Sequence, residues 1–149
     1  GGTPLIYAAG RDFSHLVDML LQRGVDLTAV LSNGSNALHV CATHGGFTTA
    51  TLLVEAGANV EAVNKTSFGK PLHMAAQAGN LGVVEVLLGA GAMVDARTPE
   101  GSTPIFLAAS NGKDSVVRAL LGVKANWELE YEGVTALGAA VKYGHIAVV

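Results

Sequence analysis

The sequence has one cysteine, Cys41, in 149 residues. A single thiol can build neither an internal disulfide framework nor a multi-cysteine zinc site, and so low a cysteine usage fits a reducing compartment. Aromatic residues are also scarce, at 5%, so Ala, Val and Leu carry a hydrophobic content of 50%. That balance favours closely packed small-residue helices over a bulky core. Charged residues make up 14%, against a usual share of about 25%, so little of the chain is freely solvated surface. Basic charge is thin: the net charge is −3 and no Lys/Arg-rich run occurs, which leaves no footprint for nucleic acid. No apolar run approaches the roughly 18 residues that cross a bilayer, so direct membrane insertion is not expected. The first residues, Gly-Gly-Thr-Pro-Leu, lack the pattern of a signal peptide. They read as the middle of a motif, from which a fragment of an intracellular protein, cytoplasmic or nuclear, is expected.

What the chain does contain is a repeat. A leucine or isoleucine recurs at Leu5, Leu38, Leu72, Ile105 and Leu137, in steps of 33, 34, 33 and 32 residues. Around it stand Thr-Pro-Leu (3–5), Asn-Ala-Leu (36–38), Lys-Pro-Leu (70–72), Thr-Pro-Ile (103–105) and Thr-Ala-Leu (135–137). A small pair or near-pair follows each time: Ala8-Ala9, Cys41-Ala42, Ala75-Ala76, Ala108-Ala109 and Ala140-Val141. Further on come Leu16-Val17, Val83-Val84, Val116-Val117 and Val148-Val149, and then leucine pairs at 20–21, 52–53, 87–88 and 120–121.

Each unit decodes as two short helices and an extended finger. Thr103 is placed to cap a helix, its hydroxyl taking an orphan amide, and Pro104 to fill the first helical position, where an N–H would be unpaired anyway. That helix ends near Gly112. Val116, Val117, Leu120 and Leu121 then form one apolar stripe on a second helix. Gly91 sits where a left-handed residue ends the second helix of its unit. Residues from about 93 to 102 lead through Pro99 and Gly101 as an arm with a tight turn. A helix pair of this size cannot bury its own apolar face, whereas stacking on like neighbours can.

These features together resemble the ankyrin-repeat family, whose units are 33 residues long with a Thr-Pro-Leu-His-x-Ala phrase. The resemblance covers essentially the whole chain. It implies an all-α solenoid of paired antiparallel helices with protruding β-turn or hairpin fingers, forming one domain over 1–149. The units run about 1–33, 34–67, 68–100, 101–132 and 133–149, the last partial, with more repeats or a cap expected on its C-terminal side. The second finger is one or two residues longer than its neighbours and the fourth is one shorter, changes that map to tips where insertions cost little.

By the same resemblance His39 and His73 take a structural role, bonding near the cap and tying adjacent loops. Lys70 stands where a capping threonine belongs, leaving the third cap open to question. His15, His44 and His145 show no metal-ligand spacing, and no nucleophile–base–acid set or phosphate-loop phrase occurs; no catalytic residue, metal or cofactor is expected. Cys41 reads as a buried small hydrophobe. Asn64-Lys65-Thr66 matches a glycosylation acceptor but reads as an ordinary polar finger tip. Trp127 aligns with Leu27, Val60 and Val94 and so reads as packing before it reads as a binding anchor.

The resemblance finally implies a groove, lined by finger tips and the open face of the first helices, that binds a protein partner rather than a small molecule. Its candidates are Asn33, Ser35, Phe68, Pro99, Glu100, Tyr131 and Glu132 on the fingers, with Arg11, His44, Gln77, Asn111, Lys142 and Tyr143 on the first helices. Glu128, Glu130 and Glu132 alternate around Tyr131, so that end suits a basic-aromatic segment and would repel an acidic one. A stand-alone adaptor and a regulatory or targeting segment of a larger enzyme, signalling protein or channel both remain open, and the flanking sequence would separate them.

Overall fold

The computed structural model describes residues 2–67, 69–145 and 147. Among them nine helices follow in order: α1 Pro4–Gly10, α2 Ser14–Gln22, α3 Ala37–His44, α4 Phe47–Glu55, α5 Pro71–Ala78, α6 Leu81–Gly89, α7 Pro104–Ser110, α8 Asp114–Gly122 and α9 Ala136–Lys142. Helices of seven to nine residues are too short to persist alone in water. They persist by stacking. The odd-numbered helices form one layer, α1 on α3 on α5 on α7 on α9, and α2, α4, α6 and α8 form a second layer behind them. The fold is the all-α solenoid that the repeat implies.

The caps follow from the sequence. The hydroxyls of Thr3, Thr103 and Thr135 accept the N–H groups of Ile6, Phe106 and Gly138, and the Asn36 amide oxygen accepts that of His39. Pro4, Pro71 and Pro104 open their helices. The first four inner helices turn into their outer partners through a left-handed residue, Asp12, Gly45, Gly79 and Gly112, and Gly144 after α9 takes the same conformation. Glycine takes that conformation without strain and aspartate less readily.

The core lies between the two layers and between successive units. Leu5, Leu38, Leu72 and Ile105 are fully buried, as are the small pairs behind them. Cys41 is buried too, its thiol donating to the Gly46 carbonyl at 3.1 Å. Removal from water, then the charge of Asp12, push its pKa up to about 12, which makes it a packing residue and a poor nucleophile.

Each finger is closed at its base by backbone hydrogen bonds. Leu31 donates to Ser35, Asn64 to Gly69, Thr98 to Ser102, and Tyr131 and Val134 exchange a pair. The closure is widest in the second finger and tightest in the fourth, so the irregular unit lengths are absorbed at the tips. The fingers remain turns rather than ladders: Tyr131 with Val134 is the single β-bridge among the described residues.

A candidate protein-interaction groove

The two histidines of the cap phrases are wired alike. The His73 Nδ1 accepts the Lys70 N–H at 3.2 Å, and its Nε2 donates to the Ala96 carbonyl, on the next finger, at 3.0 Å. His39 repeats this with the Asn36 N–H at 3.3 Å and the Gly69 carbonyl at 3.1 Å. Both rings are buried. Burial pushes both pKa values down, more than the surrounding carbonyls raise them. Each ring is therefore neutral, with its proton on Nε2, and joins a helix start to the following finger. A ring with both nitrogens committed is not placed to act as a base.

Lys70 shows how a cap is made without a hydroxyl. Its carbonyl accepts the His73 N–H at 3.0 Å, while its ammonium reaches across to Glu61. Glu61 also accepts the Met93 N–H at 2.8 Å. Burial pushes the Glu61 carboxyl up, but the Lys70 ammonium and the Met93 amide outweigh it and leave its pKa below the ordinary value. The residue that breaks the cap pattern thus clamps two successive arms.

Further ties escaped the sequence reading. Asn80 donates to the Ala42 and Thr43 carbonyls at 2.7 and 3.1 Å, and His145 Nε2 donates to the Ser110 carbonyl at 3.0 Å. Each satisfies last-turn carbonyls of the preceding inner helix, which have no helical partner. Thr49 donates to Asp12 at 2.6 Å. These partners lie 35 to 38 residues apart, and nothing in a single unit signals them.

Four clefts run in sequence along the face made by the fingers and inner helices, each sharing lining residues with the next. The first holds Tyr7, Arg11, Val40 and His44. The second holds His44, Met74 and Ser67. The third holds Met74, Gln77, Glu100, Phe106 and Tyr131, and the fourth holds Phe106, Asn111, Tyr131, Glu132, Lys142 and Tyr143. They form one continuous groove, which brings together most of the sequence-chosen residues. Arg11, Asn33, His44, Gln77, Pro99, Glu100, Asn111, Glu132, Lys142 and Tyr143 are exposed, and Tyr131 is half-buried.

Some expectations differ. Ser35 is buried, because its carbonyl and N–H close the first finger at its base rather than standing at the tip. Asn64 is buried as well, its amide oxygen accepting the N–H and hydroxyl of Ser67. Phe68 and the final Val148-Val149 lie outside the described residues. Trp127 is 46% exposed, although its counterparts Leu27, Val60 and Val94 are half-buried. It lines an apolar recess with Ile105, Val117, Leu121 and Leu137 at the end of the array. The row Tyr7, Val40, Met74 and Leu107 on the groove floor was missed. The signal was available: the position after each cap-phrase histidine or its equivalent changes side chain from unit to unit.

Charge is unevenly spread along the groove. Arg11 marks its first cleft. Glu100 and Glu132 flank Tyr131 near its other end, where Lys142 lies 5.6 Å from the Tyr143 ring centre. The Tyr131 phenol is pushed above its ordinary pKa by Glu132 first, then by desolvation and by Glu100. Its ring packs on Phe106 with centroids 4.8 Å apart and planes inclined at 53°, a favoured geometry for aromatic pairs.

A family model described as ankyrin repeats, in three copies, matches residues 1–64 and 70–149. This chain belongs to the ankyrin-repeat family. It is 26% identical over 147 residues to a transient receptor potential cation channel subfamily A member 1 homolog of Caenorhabditis elegans, covering 99% of this chain and 12% of the channel protein. An L-asparaginase of Dirofilaria immitis is 31% identical over 139 residues, covering 93% of this chain and 23% of that protein. A cyclin-dependent kinase inhibitor 2A of Monodelphis domestica is 34% identical over 119 residues, 80% of this chain and 69% of the inhibitor. Against the channel and the asparaginase this ankyrin chain spans less than a quarter of the relative's length. Ankyrin arrays are protein-interaction modules, and that general role is this chain's. Among the described residues no three His, Cys, Asp or Glu side chains gather as a metal site, and no helix is long and apolar enough to cross a membrane.

Proposed function

We propose that the chain is a non-catalytic scaffold, one array of four units and a partial fifth, that binds a protein partner along the groove. The observation that carries this reading is the continuity of the four clefts. A floor of Tyr7, Val40, Met74 and Leu107 is walled by finger residues that differ from unit to unit, on a frame whose stacking positions do not. Large apolar side chains at a groove floor, ringed by polar ones, have the make-up of a recognition surface. The partner is a protein; nucleic acid would meet too little basic charge, and the four clefts lie open along the groove rather than enclosing a small substrate. An intracellular setting fits the single buried thiol.

The test is affinity capture with the native array and with a variant carrying Met74→Ser, Tyr131→Ala and Tyr143→Ala, both checked for unchanged helical circular dichroism. Loss of defined partners with the variant supports the groove. Retention of every partner at full yield rules it out. A second reading is favoured by the small share of the channel and the asparaginase that the chain covers: the array would regulate or target a larger protein, enzyme or channel. Under it, the captured partner is another part of the same polypeptide.

A further inference from the structure

The third cleft has features that the rest of the groove lacks. It lies between the third and fourth fingers, an open space of about 340 Å³ whose floor is Met74, Phe106 and Leu107. Glu100 stands on one side and Tyr131 on the other; Glu132, next along the chain, lines the adjoining fourth cleft and acts on the same phenol. Among the described residues neither glutamate has an ion-pair partner. Arg97, on the third finger, donates to the Gly101 and Glu130 carbonyls at 3.2 and 2.8 Å rather than to either carboxylate. Lys142 shares the fourth cleft with Glu132 but lies over the Tyr143 ring, 5.6 Å from its centre, and forms no ion pair with that glutamate. His73, in the wall, is neutral for the reasons given above.

A second observation is independent of charge. Ser102, in the same wall, is 7% exposed. Its hydroxyl oxygen is the buried side-chain polar atom without a hydrogen-bond partner among the described residues. Buried polar atoms are satisfied as a rule, and one left over calls for a partner.

We propose that this cleft receives a lysine or arginine side chain from an extended segment of the protein partner. The proposal rests on the groove being the partner surface and names the chemistry that one part of it reads. The aliphatic stem would lie on Met74 and Phe106, as long basic side chains do on apolar surface. The charged head would sit between Glu100 and Glu132 against the Tyr131 ring, combining charge-assisted hydrogen bonds with a cation–π contact. Ser102 offers the remaining acceptor. An acidic segment would meet only repulsion there.

Two fluorescent twelve-residue Gly/Ser peptides test this, identical except for a central arginine or its neutral isostere citrulline, with anisotropy as the readout. The arginine peptide is expected to bind at least about tenfold more tightly, a charge-assisted contact on the order of one decade. Glu100→Gln with Glu132→Gln is expected to abolish that difference, and Ser102→Ala to reduce it several-fold. A control pair on the outer layer, Glu55→Gln with Glu85→Gln, carries the same change of net charge and is expected to leave it intact. Equal binding of the two peptides, or equal loss in the control pair, overturns the proposal. Amide chemical shifts separate its failure from that of the wider reading. Perturbations elsewhere in the groove, indifferent to Glu100 and Glu132, sink the cleft but keep the groove. Perturbations confined to α2, α4, α6 and α8 sink both.

Discussion

His73 illustrates how much one side chain can settle. Its ring holds the Lys70 N–H on one side and the Ala96 carbonyl on the other, so replacing it orphans a half-buried donor and a buried acceptor. His73→Leu is expected to cost about 1–3 kcal/mol in urea unfolding. The pH dependence has a definite sign. The folded-state pKa of both histidines lies below the ordinary 6.5, so the unfolded chain binds more protons as the medium is acidified. Stability is fully present above that value and is lost as pH falls through the window beneath it. The acid slope of a pH series of urea melts should be shallower in His73→Leu than in the native chain. Lys124 offers the opposite case. It aligns with Gly24, Gly57 and Gly91, and all four are left-handed, Lys124 at φ +63°. Because a side chain strains that conformation, Lys124→Gly is expected to stabilise by up to about 1 kcal/mol, read as a rise in the unfolding midpoint.

At the scale of the element, the same sequence position means different things in different units. Leu72 and Ile105 are sealed by the unit that follows, while their counterpart Leu137 is 41% exposed. Leu72→Ala is therefore expected to cost about 2–5 kcal/mol by leaving a cavity. Leu137→Ala should cost under about 1 kcal/mol, since surface substitutions are usually small. Parallel thermal melts of the two variants check this. Trp127 belongs to the same account. Its slot was legible from the alignment of the chain with itself, but its exposure was not, because burial depends on which face a neighbouring unit covers.

Across the whole molecule, stability comes from nearest-neighbour stacking rather than from one central core. Amide exchange should then be graded, with the strongest protection in α3 to α7, which have stacking neighbours on both sides, and the weakest in α9. Uniform protection over all the helices would contradict that picture. The groove also belongs to this scale. No single unit contains it, and the cation-reading cleft proposed above draws its lining from three units at once.

Period, caps and stripe sufficed to read the solenoid from the amino-acid order, because each is local: a hydroxyl three residues before an amide, a glycine where φ is positive, an apolar row every third or fourth residue. The finger lengths were legible for the same reason. The tertiary structure alone decided which hydrogen bonds cross between units, such as Asn80 to Ala42 and Lys70 to Glu61, since these join residues that share no motif. It also decided that Ser35 and Asn64 are interior while Trp127 is not. Local chemistry sets how each unit folds, and the stacking of one unit on the next determines what remains at the surface to meet a partner.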